Sequence, residues 1–195
     1  PLRHCAREPR PITPDLGARA AALGNLCPPF HLSRRSGCYS VLLRMNRNYD
    51  AARYAQSVDS LRQAFQAPAI TTDLIVGFPG ETEEEFQQTL DFVTRCAFSS
   101  MHIFPYSIRP GTPAAKMEQL PNAVKEQRAA RAADVARQME QAYLRQFVGT
   151  TQPVLFGEEQ KGRFRGYTTR YLPVLVCAVD DLHNQLRSVR LIGIE

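Results

Sequence analysis

One stretch of this chain, residues 72–86 with the sequence TDLIVGFPGETEEEF, constrains the fold more than any other. Its run LIV is short, apolar and β-branched, which favours a buried strand over a helix. The glycines and proline that follow form a tight turn, and Thr82 with Glu85 makes a capping box at the start of a helix. Ligands bind at such strand-to-helix turns in α/β proteins, although an ordinary turn has the same pattern.

Strands and helices alternate on both sides of this stretch. The sequence predicts strands at 29–33, 74–76 and 100–106, with helices at 16–23, 40–45, 50–65 and 83–96. The short connections imply a parallel sheet with right-handed crossovers. Three strands are too few to close a barrel, so we expect part of a larger sheet. Its open edges raise the alternative of a chain that does not fold stably.

The C-terminal third of the chain has a different pattern. A long helix at 123–147, with one narrow apolar stripe, is expected to end at Gly149 and to bridge two regions. Four short alternating segments follow, at 151–156, 163–169, 172–179 and 185–194. They predict a small antiparallel barrel of the OB-like kind. Such barrels usually have five strands, so one strand is expected to be missing after Glu195.

The composition excludes several classes of protein. The 195 residues carry a net charge of +5, and no apolar run approaches the ~20 residues that cross a bilayer. No signal peptide opens the chain, so we expect a cytoplasmic protein, and Pro1 suggests a start inside a longer gene product. The five cysteines lack Cys-x-x-Cys spacing, which favours buried or free thiols over disulfides. His31 and His102 lie in apolar strands, where core histidines are more usual than metal ligands.

Four motifs occur in a fixed order along the chain: HLSRRSGC at 31–38, RMNRNY at 44–49, TDLIVGFPGET at 72–82 and HIFPYSIRPGTPAA at 102–115. With the barrel-like tail, they resemble the C-terminal half of the radical-SAM methylthiotransferases, and the resemblance covers residues 16–195. The fourth motif is most similar to the subfamily that adds a methylthio group to C2 of N6-threonylcarbamoyladenosine at tRNA position 37. The tail resembles the TRAM domain of this family, a small barrel that binds tRNA.

The resemblance implies an α/β fold in four parts. A disordered or atypical segment at 1–15 precedes the C-terminal half of a parallel (βα) radical-SAM barrel at 16–118. A linker helix at 119–149 follows. The chain then ends in a small antiparallel barrel at 150–195, TRAM-like and OB-like, without its last strand.

Two cofactors follow from the resemblance. The family uses S-adenosyl-L-methionine and two [4Fe–4S] clusters, which cysteines hold. The Cys-x-x-x-Cys-x-x-Cys motif and the three N-terminal cysteines of the family are absent from this sequence. We therefore assign no catalytic or metal-binding residue and expect the chain alone to be an inactive fragment. The alternative is an RNA-binding module that kept the tail and lost catalysis.

The resemblance places S-adenosylmethionine beside the strand ends. The residues that it implies are Ser33, Ser36, Asp73, Ile75, Gly77, Phe78, Glu81 and Tyr106. Ile75 and Phe78 offer apolar surface to an adenine, and the glycines let the backbone come close. Ser33 and Ser36 are equally compatible with plain strand residues, and the acidic run after Glu81 suits a helix N-terminus without a ligand.

The first motif departs from the family pattern. Arg34 and Arg35 stand where the family has Leu-Gln, and Tyr39 stands where it has Asp. Two cations at a strand end are costly if they are buried. We therefore expect either an exposed edge or a damaged ligand site. Together with the atypical first residues, this departure suggests a truncated or frame-disturbed gene product.

The tail carries cations interleaved with aromatic residues. Those expected to bind tRNA are Lys161, Arg163, Arg165, Tyr167 and Arg170. In residues 151–195 six Lys/Arg stand against five acids, so an ordinary solvated surface is the alternative. We expect tRNA as the partner, and the sequence indicates neither a membrane nor a protein partner.

Overall fold

The computed structural model describes residues 2–5, 12–24, 26–47 and 51–195, and for residues 2–5 and Gln160 it describes the backbone alone. Strands and helices alternate along its first part. They are β1 (Leu2–Cys5), α1 (Pro14–Ala22), β2 (Leu26–His31), α2 (Tyr39–Arg44), α3 (Ala51–Ala64), β3 (Ala69–Val76), α4 (Glu83–Cys96) and β4 (Ser100–Pro105). The order matches the sequence prediction, and α4 has the predicted bounds.

The strands β1 to β4 form one parallel sheet in chain order. This confirms the predicted parallel α/β arrangement, with four strands in place of three. The additional strand corrects the disordered or atypical segment placed at 1–15, since β1 pairs with β2 at the sheet edge and α1 begins at Pro14 behind its cap, Thr13. Backbone pairing orders this strand, and a composition rich in proline and arginine gives no sign of it. Residues 1 and 6–11 lie outside the described part.

Helices cover one face of the parallel sheet. Leu74 of β3 packs there with Val58 of α3 and with Phe86 and Leu90 of α4. On the opposite face β3 presents half-exposed side chains, and β4 presents exposed ones. We call this the open face; on β2, β3 and β4 it carries His31, Thr71, Asp73, Ile75, His102 and Phe104.

A long helix connects this sheet to the second one. After a short 3-10 turn at Pro113–Lys116, α5 spans Asn122–Arg145 and packs on β4 and α4. Near its C-terminus, Tyr143 and Phe147 pack with Leu172 of the tail. This arrangement gives α5 the bridging position that its single stripe predicted. Across the described ranges, no helix combines the length and the apolar character that crossing a membrane requires.

The tail forms a separate antiparallel sheet. Its strands are β5 (Thr151–Gln160), β6 (Arg163–Thr168), β7 (Pro173–Val176) and β8 (Leu186–Arg190), in the order β7-β6-β5-β8. Lys161 and Gly162, both with positive φ, form the two-residue turn between β5 and β6. The predicted antiparallel strands are present, but among the described residues β7 and β8 remain edges. Among the described residues no strand joins these two edges, so the barrel that was predicted without its last strand is present in part, as an open sheet.

Candidate functional site

The turn between β3 and α4 has the predicted local geometry. The Thr82 hydroxyl accepts a hydrogen bond from the Glu85 N–H, and the Glu85 carboxylate accepts one from the Thr82 N–H. Gly77 and Gly80 both have positive φ, as the tight turn requires. The capping box is confirmed, and Phe86 begins the buried stripe of α4.

The Glu85 carboxylate also joins α4 to α2. It accepts hydrogen bonds from the guanidinium of Arg44 and from the hydroxyl of Ser40. These contacts, with that of Arg44 the strongest, lower the pKa of Glu85 to about 2. Glu85 is therefore ionised at neutral pH and engaged within the protein, which gives it a structural role.

Glu81 is buried at the centre of a contact between the turn and α5. Its side chain is 0% exposed, and its carboxylate accepts hydrogen bonds from the Gly77 N–H at 2.7 Å and from Arg128 at 2.8 Å. Arg128 also donates to the Glu81 carbonyl oxygen at 2.9 Å, and its own side chain is 6% exposed. Burial raises the pKa of Glu81, which the Gly77 N–H and Arg128 oppose. Through these contacts Glu81 holds the turn between β3 and α4 against α5.

Gly77 is required by the packing of α5 against the turn. A Cβ atom at this position would lie 2.6 Å from Cγ of Lys125 and 3.3 Å from its Cα. The 2.6 Å approach is well inside van der Waals contact and the 3.3 Å approach is tight, so a larger residue would require α5 to shift. The space beside Gly77 is filled by α5, where the sequence had predicted the approach of a ligand.

Three more of the predicted site residues are engaged in contacts within the protein. Phe78 is buried with Cys38 and Val41, and its ring lies edge-on to the ring of Tyr106 at 5.1 Å. The Tyr106 N–H donates to a carbonyl of β3. Ser36 is fully buried; its hydroxyl accepts from the Cys38 N–H and contacts Thr89.

The remaining three predicted residues lie at the open face. Asp73 and Ile75 point from β3 with partly buried side chains, that of Asp73 being 15% exposed. The Ser33 hydroxyl donates to Oδ2 of Asp73 at 2.9 Å. The same oxygen lies 3.3 Å from Nε2 of His31 and 3.4 Å from Nη1 of Arg35. The Asp73 carboxylate therefore contacts a hydroxyl, an imidazole and a guanidinium.

The two arginines of the first motif lie on opposite faces of the sheet. Arg34 is 1% exposed and its guanidinium carbon lies 4.4 Å from the ring centroid of Phe92 and 5.0 Å from that of Tyr54. Its Nε donates to the Ser36 carbonyl oxygen at 2.9 Å. Arg35 is half-exposed on the open face. Aromatic rings and a carbonyl oxygen accommodate the buried cation of Arg34. Arg35 fits the exposed edge that the sequence anticipated, and a damaged ligand site stays a prediction.

The predicted RNA-binding residues occupy different positions on the second sheet. Lys161 is exposed at the β5–β6 turn, and Arg165 is exposed on β6 with its guanidinium 5.3 Å from the Tyr167 ring. Arg163 forms a 2.6 Å ion pair with Glu195. Arg170 lies over the Phe147 ring. It also donates to the carbonyl oxygen of Gln66, just before β3, so it contacts the first part of the chain.

The Tyr167 ring also stacks on Tyr171, with centroids 4.8 Å apart and planes at 27°. Lys161, Arg163, Arg165 and this stack form a surface that we call the β6 surface. Its cations and rings are suited to phosphates and bases respectively.

Sequence reasoning missed the two residues of α5 that fix the turn. Lys125 and Arg128 lie on the same helix face as the buried Ala132 and Met139. Lys125 and Arg128 are three residues apart, and Ala132 follows four residues later, which is the spacing of one helix face. This spacing was the signal in the sequence that could have identified them. Charged residues are rarely buried, so the apolar pattern did not include them.

Comparison with known families first identifies the fold. Residues 9–93 match the family model of the Radical SAM superfamily. The structure is similar to coproporphyrinogen III oxidase (HemN) from Escherichia coli, a radical SAM enzyme, with a TM-score of 0.58 and 21% identity. The match covers 70% of this chain and 32% of that one. Both findings support an α/β radical-SAM fold.

Individual relatives then show which enzymes this chain is similar to. A tRNA-2-methylthio-N(6)-dimethylallyladenosine synthase from Mycobacteroides abscessus is 48% identical over 65% of this chain and 25% of its own length. One from Aquifex aeolicus is 36% identical over 86% and 38%. The threonylcarbamoyladenosine tRNA methylthiotransferase MtaB from Bacillus subtilis is 37% identical over 83% and 37%. These matches support assignment to the radical-SAM tRNA methylthiotransferases and do not distinguish the two substrates.

The chain spans 25–38% of the length of these curated relatives. A radical SAM family implies S-adenosylmethionine and iron–sulfur chemistry. The described residues do not fit a cluster: Cys27, Cys38 and Cys96 are buried separately, Cys177 is exposed, and no group of three or more His, Cys, Asp or Glu in the described ranges can hold a metal ion. Burial raises the pKa of Cys96 to about 11, which disfavours the thiolate that a cluster needs.

Proposed function

We propose that this chain is the C-terminal portion of a tRNA methylthiotransferase that acts on adenosine 37 by radical-SAM chemistry. The observation that carries this proposal is the order of its parts. A parallel radical-SAM-type sheet is joined by α5 to a second sheet with cations and stacked tyrosines on one surface. Identities of 36–48% to tRNA methylthiotransferases support the same reading.

For the substrate, we propose N6-threonylcarbamoyladenosine, with methylthio transfer to its C2. The form of the motif at 102–115 supports this choice, and so does the 37% identity to the Bacillus subtilis enzyme. The relatives named for dimethylallyladenosine make that nucleoside the second candidate.

For the cofactor, we propose that S-adenosylmethionine lies at the open face in the longer protein. Ile75 offers half-exposed apolar surface there, and Ser33, Asp73 and the Tyr106 backbone lie at the neighbouring strand ends. The cofactor would supply the radical precursor and the methyl group of the family's reaction. Ser36, Gly77, Phe78 and Glu81 support these positions through packing.

We further propose that this chain alone does not cleave S-adenosylmethionine. The donor set supports this, because the described cysteines are separate from one another and three of the four are buried. The role that this chain retains is then to bind the substrate RNA and to support the fold around it. We place this role in the cytoplasm, where tRNA is modified.

The β6 surface is expected to bind tRNA through phosphate contacts. Replacing Lys161 and Arg165 together by glutamine removes two exposed cations. We expect the affinity for an unmodified tRNA transcript to fall about tenfold at low salt. The slope of log K against log salt should become shallower by about one for each cation lost. A filter-binding titration at several salt concentrations measures both quantities.

The matched control replaces Arg19 and Arg137 by glutamine. Both are exposed on helices away from the β6 surface, and their loss changes the net charge equally. The control should bind tRNA like the wild type. Equal loss in both double variants would assign the effect to net charge and contradict a local RNA contact, as would a wild-type affinity that does not respond to salt.

An RNA-binding module without catalysis remains the second candidate function. It is favoured by the same β6 surface and by the misfit of the cysteines to a cluster. The two candidates differ in whether a longer form of this protein, with a cluster-binding segment, catalyses methylthiolation.

A further inference from the structure

The helix α5 places one lysine at the carboxyl ends of β3 and β4, and the proposed function gives its ammonium no role. Lys125 is 6% exposed, and its methylene groups lie against Gly77, the residue after β3. Its Nζ lies 5.5 Å from the ring centroid of Tyr106, the residue after β4. Ligands of open α/β sheets bind outside the carboxyl ends of the strands, so this lysine lies at the ligand end of the sheet.

The Lys125 ammonium lacks an acidic partner. Among the described residues it takes part in no hydrogen bond and no ion pair, and it contacts the Tyr106 ring instead. The acids Glu81 and Glu83 at the start of α4 are paired with Arg128, one turn further along α5. The ammonium does not belong to the described polar atoms that are sealed from solvent without a partner, so solvent reaches it. Its N–H groups are therefore free to donate, and its charge is uncompensated.

Packing alone does not explain a lysine at this position. The methylene groups fill the space beside Gly77, but methionine would fill it as well without taking a charge out of water. Lysine is rarely buried unless it is paired, because an unpaired ammonium loses its hydration, and an aromatic ring offsets only part of that loss. The Tyr106 hydroxyl is also buried without a hydrogen-bond partner. Two unsatisfied polar groups at one ring indicate that a polar group from outside the described chain belongs beside them.

We propose that the Lys125 ammonium binds an anionic oxygen of a ligand at the carboxyl ends of β3 and β4. Two groups of the proposed reaction have this chemistry: the carboxylate in the amino-acid part of S-adenosylmethionine and a phosphate of the RNA. This contact rests on the proposed function, which places the cofactor at these strand ends, and it adds a residue of α5 that the proposed cofactor site does not include.

Nuclear magnetic resonance of the chain with 13C-labelled lysine tests this contact. The sequence contains three lysines, so Lys125 gives one of three side-chain signals, and the exposed Lys116 and Lys161 supply the references. The probes share an adenosine: S-adenosylmethionine carries a carboxylate, adenosine 5′-monophosphate carries a phosphate, and 5′-methylthioadenosine carries neither. We expect an anionic probe to shift the Lys125 signal more than that of Lys116, and 5′-methylthioadenosine to leave it unchanged. The tighter-binding anionic probe identifies the source of the oxygen.

The variant Lys125→Met keeps the packing against Gly77 and removes the ammonium. Its affinity for the tighter-binding anionic probe is expected to fall at least about tenfold, while its affinity for 5′-methylthioadenosine stays that of the wild type. The control Lys116→Met removes an exposed charge and should bind all three probes as the wild type does. Isothermal titration calorimetry measures these affinities.

Two results would overturn the proposal: an Lys125 signal that no anionic probe shifts selectively, and a Lys125→Met variant that binds those probes as the wild type does. An ammonium that turns onto the sealed Oε1 of Glu81 would give both results. The proposed cofactor position can fail separately. Absence of 5′-methylthioadenosine binding beside an intact Lys125 response would contradict the adenine position alone, and the reverse would contradict the anion contact alone.

Discussion

Replacing Arg128 by methionine is expected to lower the free energy of unfolding by about 3–5 kcal/mol. The change leaves the Glu81 carboxylate, whose side chain is 0% exposed, without its cation. It also removes the hydrogen bond to the Glu81 carbonyl oxygen. An uncompensated charge at this depth costs far more than the methylene packing that methionine restores. Urea unfolding followed by circular dichroism measures the change.

The control for this prediction is Arg137→Met on the same helix. Arg137 pairs with Asp134 three residues earlier, and both side chains are more than half exposed. Exposed pairs of this kind contribute less than about 1 kcal/mol. A loss at Arg128 no larger than that at Arg137 would mean that the contact between α5 and the turn does not stabilise the fold.

Replacing Gly77 by alanine is expected to destabilise the chain by about 2–4 kcal/mol. Two costs add at this position. The φ of +69° is unfavourable for any residue with a Cβ, and the new methyl group would lie 2.6 Å from Cγ of Lys125. Since the next contacts are Cβ and Cα of Lys125, the helix itself would have to move. The midpoint of urea unfolding reports the loss.

Gly162→Ala separates the two costs. Gly162 has a φ of +78°, but a Cβ there would have no atom within 4 Å. Only the conformational cost remains, about 1 kcal/mol. If both alanine variants were equally destabilised, the close approach of α5 to the turn would be contradicted.

The sequence predicted the order of elements because periodicity and capping signals are local. The capping box of Thr82 and Glu85 and the bounds of α4 depend on neighbours within one helical turn. The parallel sheet followed from short connections. The strand β1 was missed because a four-residue edge strand is ordered by its partner β2 and has no periodicity of its own.

The candidate site was predicted less well than the fold. The motif at 72–82 was recognised, but the need for glycine at position 77 and the burial of Glu81 are explained by contacts with α5, which lies more than forty residues later in the chain. No local pattern reports such a contact. The effect of Arg34 and Arg35 on the site depends on which face of the sheet each side chain reaches. The left-handed φ of Arg35 sets the face for its side chain, and no local sequence pattern indicated that φ.

The central proposal is that this chain has a radical-SAM-type fold and that its own cysteines do not hold an iron–sulfur cluster. Anaerobic reconstitution with iron and sulfide, followed by reduction in the presence of S-adenosylmethionine, tests it most directly. We expect no iron–sulfur absorbance after desalting and no 5′-deoxyadenosine. A stable cluster spectrum with formation of 5′-deoxyadenosine by the 195-residue chain would contradict it.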